Sequence, residues 1–229
     1  MKENIDPELT SFSKRAQDIV ANPRHVSAIE IKGSETNRWI WDFNLLKNNE
    51  SDLLSDKILT LFYKCLSQSV LDLLFLETLS RMLLGKDIYF LNRLSFRELE
   101  NFLRDENHLP VFVNSTNIAP EERFMAVKNS LLFSFLIKEI LKNETFKPPI
   151  KAWEEMSLVE RNRQIISLFQ VINKLFSLEK SLQLALAETE VISIIMNQFP
   201  IAIEVLEGLI HELFKSTQKI SSLKVVAVQ

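Results

Sequence analysis

Between Arg38 and Leu45 the chain abandons helical spacing. Trp39, Trp41, Phe43 and Leu45 alternate with Arg38, Ile40, Asp42 and Asn44. A period of two places the large apolar residues on one face, which predicts a half-buried strand and excludes an all-helical fold. Lys47 to Asp56 is polar and turn-like, and Ile58 to Tyr63 is apolar again. Two such runs predict a β-hairpin with a long loop. The second strand runs into Cys65-Leu66-Ser67-Gln68-Ser69, a small polar turn from which a long helix starts. The single cysteine of the chain therefore sits at a strand-to-helix joint. A thiol there favours thiolate if it is exposed near the helix N-terminus. A small buried hydrophobe is the other reading.

The remaining spacing is mostly helical. Leu9, Phe12, Ala16, Ile19 and Val20 share one face of a helix from Pro7 to Val20, which Asn22-Pro23 ends. Val70, Leu73, Leu74, Leu79 and Leu83 mark the helix that follows the hairpin, with Gly85 as its left-handed terminator. Ser95 and Glu98 form a capping box that opens a short helix through Leu103. His108-Leu109-Pro110 breaks the chain. Pro120 with Glu121 and Glu122 starts a helix that runs to about Leu141. Residues 143–157, with Pro148-Pro149 and little periodicity, read as a linker between a domain at 1–142 and one at 158–229. The second domain shows a helix from Val159 to Ser177 and a hairpin around Glu188-Thr189-Glu190. A helix opened by Pro200 then leads to a strand from Leu223 to Val228. The fold class is α+β, with a small antiparallel sheet and helices first and an α-β-β-α-β sandwich second.

Composition narrows the function classes. Three glycines and no G-x-G-x-x-G or Walker pattern argue against phosphate-cradling loops. A net charge of −3 with both signs mixed gives no basic field for nucleic acid. One cysteine excludes an intramolecular disulfide framework and fits a reducing compartment. The polar N-terminus and the charge-interrupted apolar runs predict a cytoplasmic protein with no membrane span. His25, His108 and His211 are too scattered for metal spacing, and no G-x-S-x-G or close Cys-His pair exists, so no enzyme is expected. Glu121 and Glu122 serve the helix dipole, and Trp39, Trp41 and Phe43 pack against helices instead of stacking on bases.

Several of these segments match a known pattern. Ser13-Lys14-Arg15-Ala16-Gln17-Asp18 followed by Asn22-Pro23-Arg24-His25-Val26 resembles the opening of NifU and IscU iron–sulfur scaffold proteins, whose pattern continues Asn-Pro-Arg-Asn-Val-Gly. Phe62-Tyr63-Lys64-Cys65-Leu66-Ser67 is similar to their T-Y-G-C-G-S, and Gly85-Lys86 to their G-K. Leu109-Pro110-Val111 is similar to their L-P-P-V. The likeness covers residues 10–140. The second domain resembles the Nfu domain of modular NifU proteins. At their C-x-x-C-P position it reads Met196-Asn197-Gln198-Phe199-Pro200.

The resemblance implies an IscU-like domain followed by an Nfu-like one. It also implies a role in iron–sulfur assembly, with a cysteine desulfurase, a scaffold or a chaperone as partner. The family's first cysteine and aspartate fall near Thr36 and Arg38, and its third cysteine near Ser115 or Thr116, so only Cys65 is left as a metal or sulfur ligand. Asp42 and His108 are its other candidate companions. Met196 and Phe199 replace both thiols of the second domain with apolar side chains. A transient iron–sulfur cluster, or one shared between two protomers of a homodimer, is one expectation, and single-thiol sulfur handling at Cys65 is another. Leu109, Pro110 and Val111 are the expected partner-binding segment. The alternative is a repurposed, non-catalytic interaction protein that kept the fold and binds no cluster.

Overall fold

The alternating stretch forms β1 (Trp39–Leu46), and the apolar return forms β2 (Lys57–Cys65), paired antiparallel as the period predicts. The computed structural model describes residues 12–27, 39–48, 52–66, 69–105, 111–112, 119–178, 181–188, 191–197, 199–214 and 224–227. Trp41 and Phe43 are buried while Asp42 and Asn44 face solvent. The register slips between Asn44 and Leu45, so Leu59 is passed over and remains 51% exposed. Such a bulge absorbs one extra residue without turning the apolar face outward.

Three of the next four helices form in segments that the sequence presents as helical. Helix α1 (Lys14–Ala21) is capped by Ser13, whose hydroxyl accepts from Ala16 N. It therefore begins at Lys14 and not at Pro7, which lies outside the described residues. A capping serine in extended conformation cannot sit in mid-helix. The carboxylate of Asp105 accepts from Lys14 N and Arg15 N at 2.8 and 2.9 Å, satisfying two orphan donors of that first turn. Helix α2 (Val70–Leu83) follows Ser69 as N-cap. It buries Leu71, Leu74, Phe75, Leu76, Leu79 and Leu83. Its exit is a tight turn in which Lys86 N donates to Leu83 O at 2.9 Å and Gly85 takes φ 74°, as expected of the left-handed glycine. Helix α3 (Ile88–Arg93), capped by Asp87, has no counterpart in the sequence reading. Helix α4 (Phe96–Leu103) carries the expected Ser95–Glu98 capping box.

Helix α5 (Pro120–Lys142) starts at the predicted proline. Contacts divide the chain into two compact units, Met1–Lys47 with Asp56–Leu131, and Asn48–Ser55 with Leu132–Gln229. In the first, Phe75 is the aromatic centre, with ring distances of 6.4, 5.7 and 6.0 Å to Phe96, Phe112 and Phe124. In the second, residues 143–157 bury Phe146, Trp153 and Met156, and Phe214 meets the Trp153 ring at 5.3 Å. This is the stretch that the sequence presents as a linker. Helix α6 (Leu158–Leu175) opens on a second capping box, Ser157 with Glu160.

Strands β3 (Leu182–Ala187) and β4 (Val191–Met196) form the predicted hairpin, and β5 (Lys224–Ala227) pairs parallel to β4 after helix α7 (Ile203–Phe214). Pro200 lies in a bend, so α7 begins three residues later than predicted. The order α-β-β-α-β is as expected, with β4 central in the sheet. The fold is thus mixed α+β with small sheets, one of them containing a parallel pair. Among the described residues no helix is long and apolar enough to cross a membrane.

Candidate functional site

Cys65 is the last residue of β2 and stands opposite Trp39. Alternation puts its side chain on the same face as Tyr63 and Leu61, the face turned toward α2. It is a half-buried thiol in no disulfide, between the two readings its sequence left open. Two buried acids of α2 organise the polar chemistry of this unit.

The first acid is Glu77, fully buried. Its carboxylate accepts from Arg24 N (3.0 Å), His25 N (3.1 Å), His25 Nδ1 (2.9 Å), Tyr63 Oη (3.2 Å) and Arg81 Nε (2.7 Å). Arg81 also donates through Nη2 to Asn22 O at 2.8 Å. Burial pushes the Glu77 carboxyl up. The bonds from Arg81, His25 and the two main-chain N–H groups outweigh it, and the group ends below the usual carboxylate value. Burial first, and then the Glu77 charge, raise the Tyr63 phenol well above its ordinary range. The segment Asn22-Pro23-Arg24-His25 is thereby tied to the middle of α2, with Tyr63 sharing the same anchor.

The second acid is Asp72, also fully buried. It is gripped by Arg123, through Nε to Oδ1 and through Nη2 to Oδ2 at 2.6 Å, and it accepts from Trp39 Nε1 at 3.1 Å. The Arg123 guanidinium lies 5.0 Å from the Trp39 ring centre. The residue across the sheet from Cys65 is therefore fixed by a charge pair, and the Asp72 carboxylate is fully engaged. Elsewhere in the unit, Lys128 Nζ donates to Asn92 O and Leu94 O at 2.8 Å each, satisfying carbonyls at the end of α3. Burial lowers its ammonium pKa against the opposing pull of Glu98.

No family model, curated protein or solved structure matches the chain.

Most of the sequence-derived companions of Cys65 fall outside the described residues. Thr36, Arg38, His108, Ser115 and Thr116 lie outside the described residues, as do Leu109 and Pro110. Val111 is fully buried, so its side chain is a core contact. Asp42 projects from the opposite face of the hairpin, away from Cys65. Met196 is half-buried opposite Leu182, and Phe199 packs edge-on against Phe176 with ring centres 5.5 Å apart. Among the described residues no three His, Cys, Asp or Glu side chains gather as a metal site requires. The donor set around Cys65 does not fit an iron–sulfur cluster held within one chain. There is one cysteine where about four soft ligands are needed, and its cross-strand neighbour is an indole.

The Glu77 and Asp72 networks escaped the sequence reading, although a signal was present. In Val70-Leu71-Asp72-Leu73-Leu74-Phe75-Leu76-Glu77-Thr78-Leu79 Asp72 sits between Leu71 and Leu73, and Glu77 follows Leu76 with Leu73 and Leu74 one turn before it. An acid set among the apolar residues of a mostly buried helix is itself buried, and a buried carboxylate needs partners.

Proposed function

We propose that this protein is a NifU-like partner or adaptor in iron–sulfur cluster assembly, not an enzyme, that meets a cysteine desulfurase or a scaffold through its first unit. The observation that carries the reading is the position of Cys65, a half-buried thiol at the end of β2. The Asn22-Pro23-Arg24 segment is tied to α2, and His25 and Ser27, which follow it, bond to Tyr63 of the same strand. The chemistry a lone thiol supports is sulfur acceptance. The Cys65 thiolate attacks the terminal sulfur of a desulfurase persulfide, the donor S–S bond breaks, and the donor leaves as a thiolate while Cys65 becomes the persulfide. No second ligand and no cluster takes part.

A second reading is a repurposed interaction protein that kept the fold and lost the chemistry, since fold alone does not carry function. Phe199 favours it: this residue, standing where the family has a thiol, packs on Phe176 as an ordinary apolar contact. One experiment separates the two. The protein is incubated anaerobically with a cysteine desulfurase and cysteine, then analysed by intact mass and by retention of the desulfurase on the immobilised chain. Sulfur transfer predicts a gain of one sulfur atom in the wild type and none in Cys65→Ser. If neither chain gains sulfur and the desulfurase is not retained, the pathway assignment is wrong.

A further inference from the structure

The segment that leaves α1 does more than turn. Val26 bridges Tyr63 in parallel, with Tyr63 N donating to His25 O at 2.8 Å and Ser27 N donating to Tyr63 O at 2.7 Å. Residues 25–27 therefore cover the edge of β2 that β1 leaves open. What fastens them is unusual for a strand. Val26 is 53% exposed, and Asn22, Pro23 and Arg24 are exposed, so apolar burial contributes little. Three bonds from Arg24 and His25 to Glu77, and one from Arg81 to Asn22 O, hold the segment to α2. A segment fixed by polar bonds to one carboxylate opens more readily than one fixed by a packed face.

We propose that residues 22–27 are a detachable strap, latched by Glu77, whose release bares the β2 edge at Tyr63 while the β1–β2 hairpin stays intact. The inference rests on this geometry alone and does not depend on the chemistry assigned to Cys65. His25, Arg81 and Tyr63 are the ionisable side chains in contact with the latch. Release leaves the N–H and C=O of Tyr63 without partners, which is a strand edge able to pair with an extended chain.

Hydrogen exchange followed residue by residue by NMR on the full chain tests this with an internal control. Along an antiparallel strand the N–H groups alternate in direction, so Tyr63 reports the strap while Phe62 and Lys64 report the hairpin. In the wild type Tyr63 exchanges faster than Phe62 and Lys64. Glu77→Gln removes the charge that accepts these bonds and accelerates Tyr63 and Ser27 by about tenfold or more, leaving Phe62 and Lys64 near their wild-type rates. His25→Ala, which deletes only the ring contact, accelerates the same two amides by less and serves if the glutamine variant does not fold. Equal exchange of Tyr63, Phe62 and Lys64 in the wild type overturns the proposal. So does their acceleration together in either variant, because the strap is then part of the hairpin's own cooperative unit.

Discussion

Replacing Asp72 with Asn tests whether the charge pair beneath Trp39 holds the first unit together. The substitution keeps the shape of the side chain and removes its charge. Arg123, only 13% exposed, is then left with no counter-ion in a site from which water is largely excluded. Removing one member of a buried pair costs about 3–5 kcal/mol, because the partner stays buried and uncompensated. The same carboxylate also serves as the first-turn acid of α2 and accepts the indole N–H of Trp39. The remaining exposure of Arg123 relieves part of the penalty, so the expected loss is about 3 kcal/mol, a large share of the ~5–15 kcal/mol that stabilises a typical domain. Replacing both members, Asp72→Leu with Arg123→Met, should recover at least half of that loss, since no unpaired charge remains. The chain has three tryptophans, of which Trp39 and Trp41 lie in the first unit and Trp153 in the second. Urea unfolding followed by fluorine NMR of 5-fluorotryptophan therefore reads each unit separately. A loss below ~1 kcal/mol at the Trp39 and Trp41 signals would show that solvent screens the pair. A double variant as unstable as the single one would show that Arg123 is not the group left stranded.

Acid should loosen the first unit through Glu77. Its folded pKa lies below the ordinary 4.5, so its contribution is complete above that value and fades as pH falls through the lowered one; amide protection of residues 24–27 measured between pH 6 and 3 should fall before that of β1. Glu160 behaves in the same direction in the second unit. Its bond from Lys151, and then those from Ser157, hold it at about 2, so its titration followed by carbon-detected NMR should lie well below the ordinary glutamate value of 4.5. Gly85→Ala should cost about 1–2 kcal/mol although no atom lies within 4 Å of the new methyl, because φ 74° itself is unfavourable for an L residue. Gly208→Ala should instead stabilise α7 by about 0.5–1 kcal/mol, as the methyl meets the Phe133 ring at 3.4 Å in ordinary contact.

The elements that local chemistry specifies were legible in the sequence. Trp39, Trp41 and Phe43 set the strand, Ser95 with Glu98 set a helix start, and Gly85 set a turn, because each signal is complete within a few residues. Helix α3 was not legible, since its six residues span under two turns and leave only Ile88 and Leu91 as a buried pair. The strap was not legible because its partners lie far along the chain, with Glu77 more than fifty residues from Arg24. Sequence could show that Asp72 and Glu77 need partners. Apart from Arg81, one turn beyond Glu77 on the same helix, the groups that supply them are decided by tertiary packing, as is the docking of Trp41 Nε1 onto Ser130 at 2.9 Å. For Cys65 the strand-to-helix joint was readable, while its place opposite Trp39 and on the face of Tyr63 was not.

The parallel pairing of β4 with β5 has a consequence during synthesis. Val191-Ile192-Ser193-Ile194-Ile195-Met196 carries no charge, proline or glycine, and among the described residues its outer edge is paired by a strand that comes after α7. A nascent chain that has made the β3–β4 hairpin but not yet residues 224–227 displays six consecutive strand-forming residues with a bare edge. That is the composition from which intermolecular β-assemblies grow. The interval between translating β4 and translating β5 is therefore when this protein most needs a chaperone, and a stalled or clipped product ending near Phe214 is the form expected to aggregate.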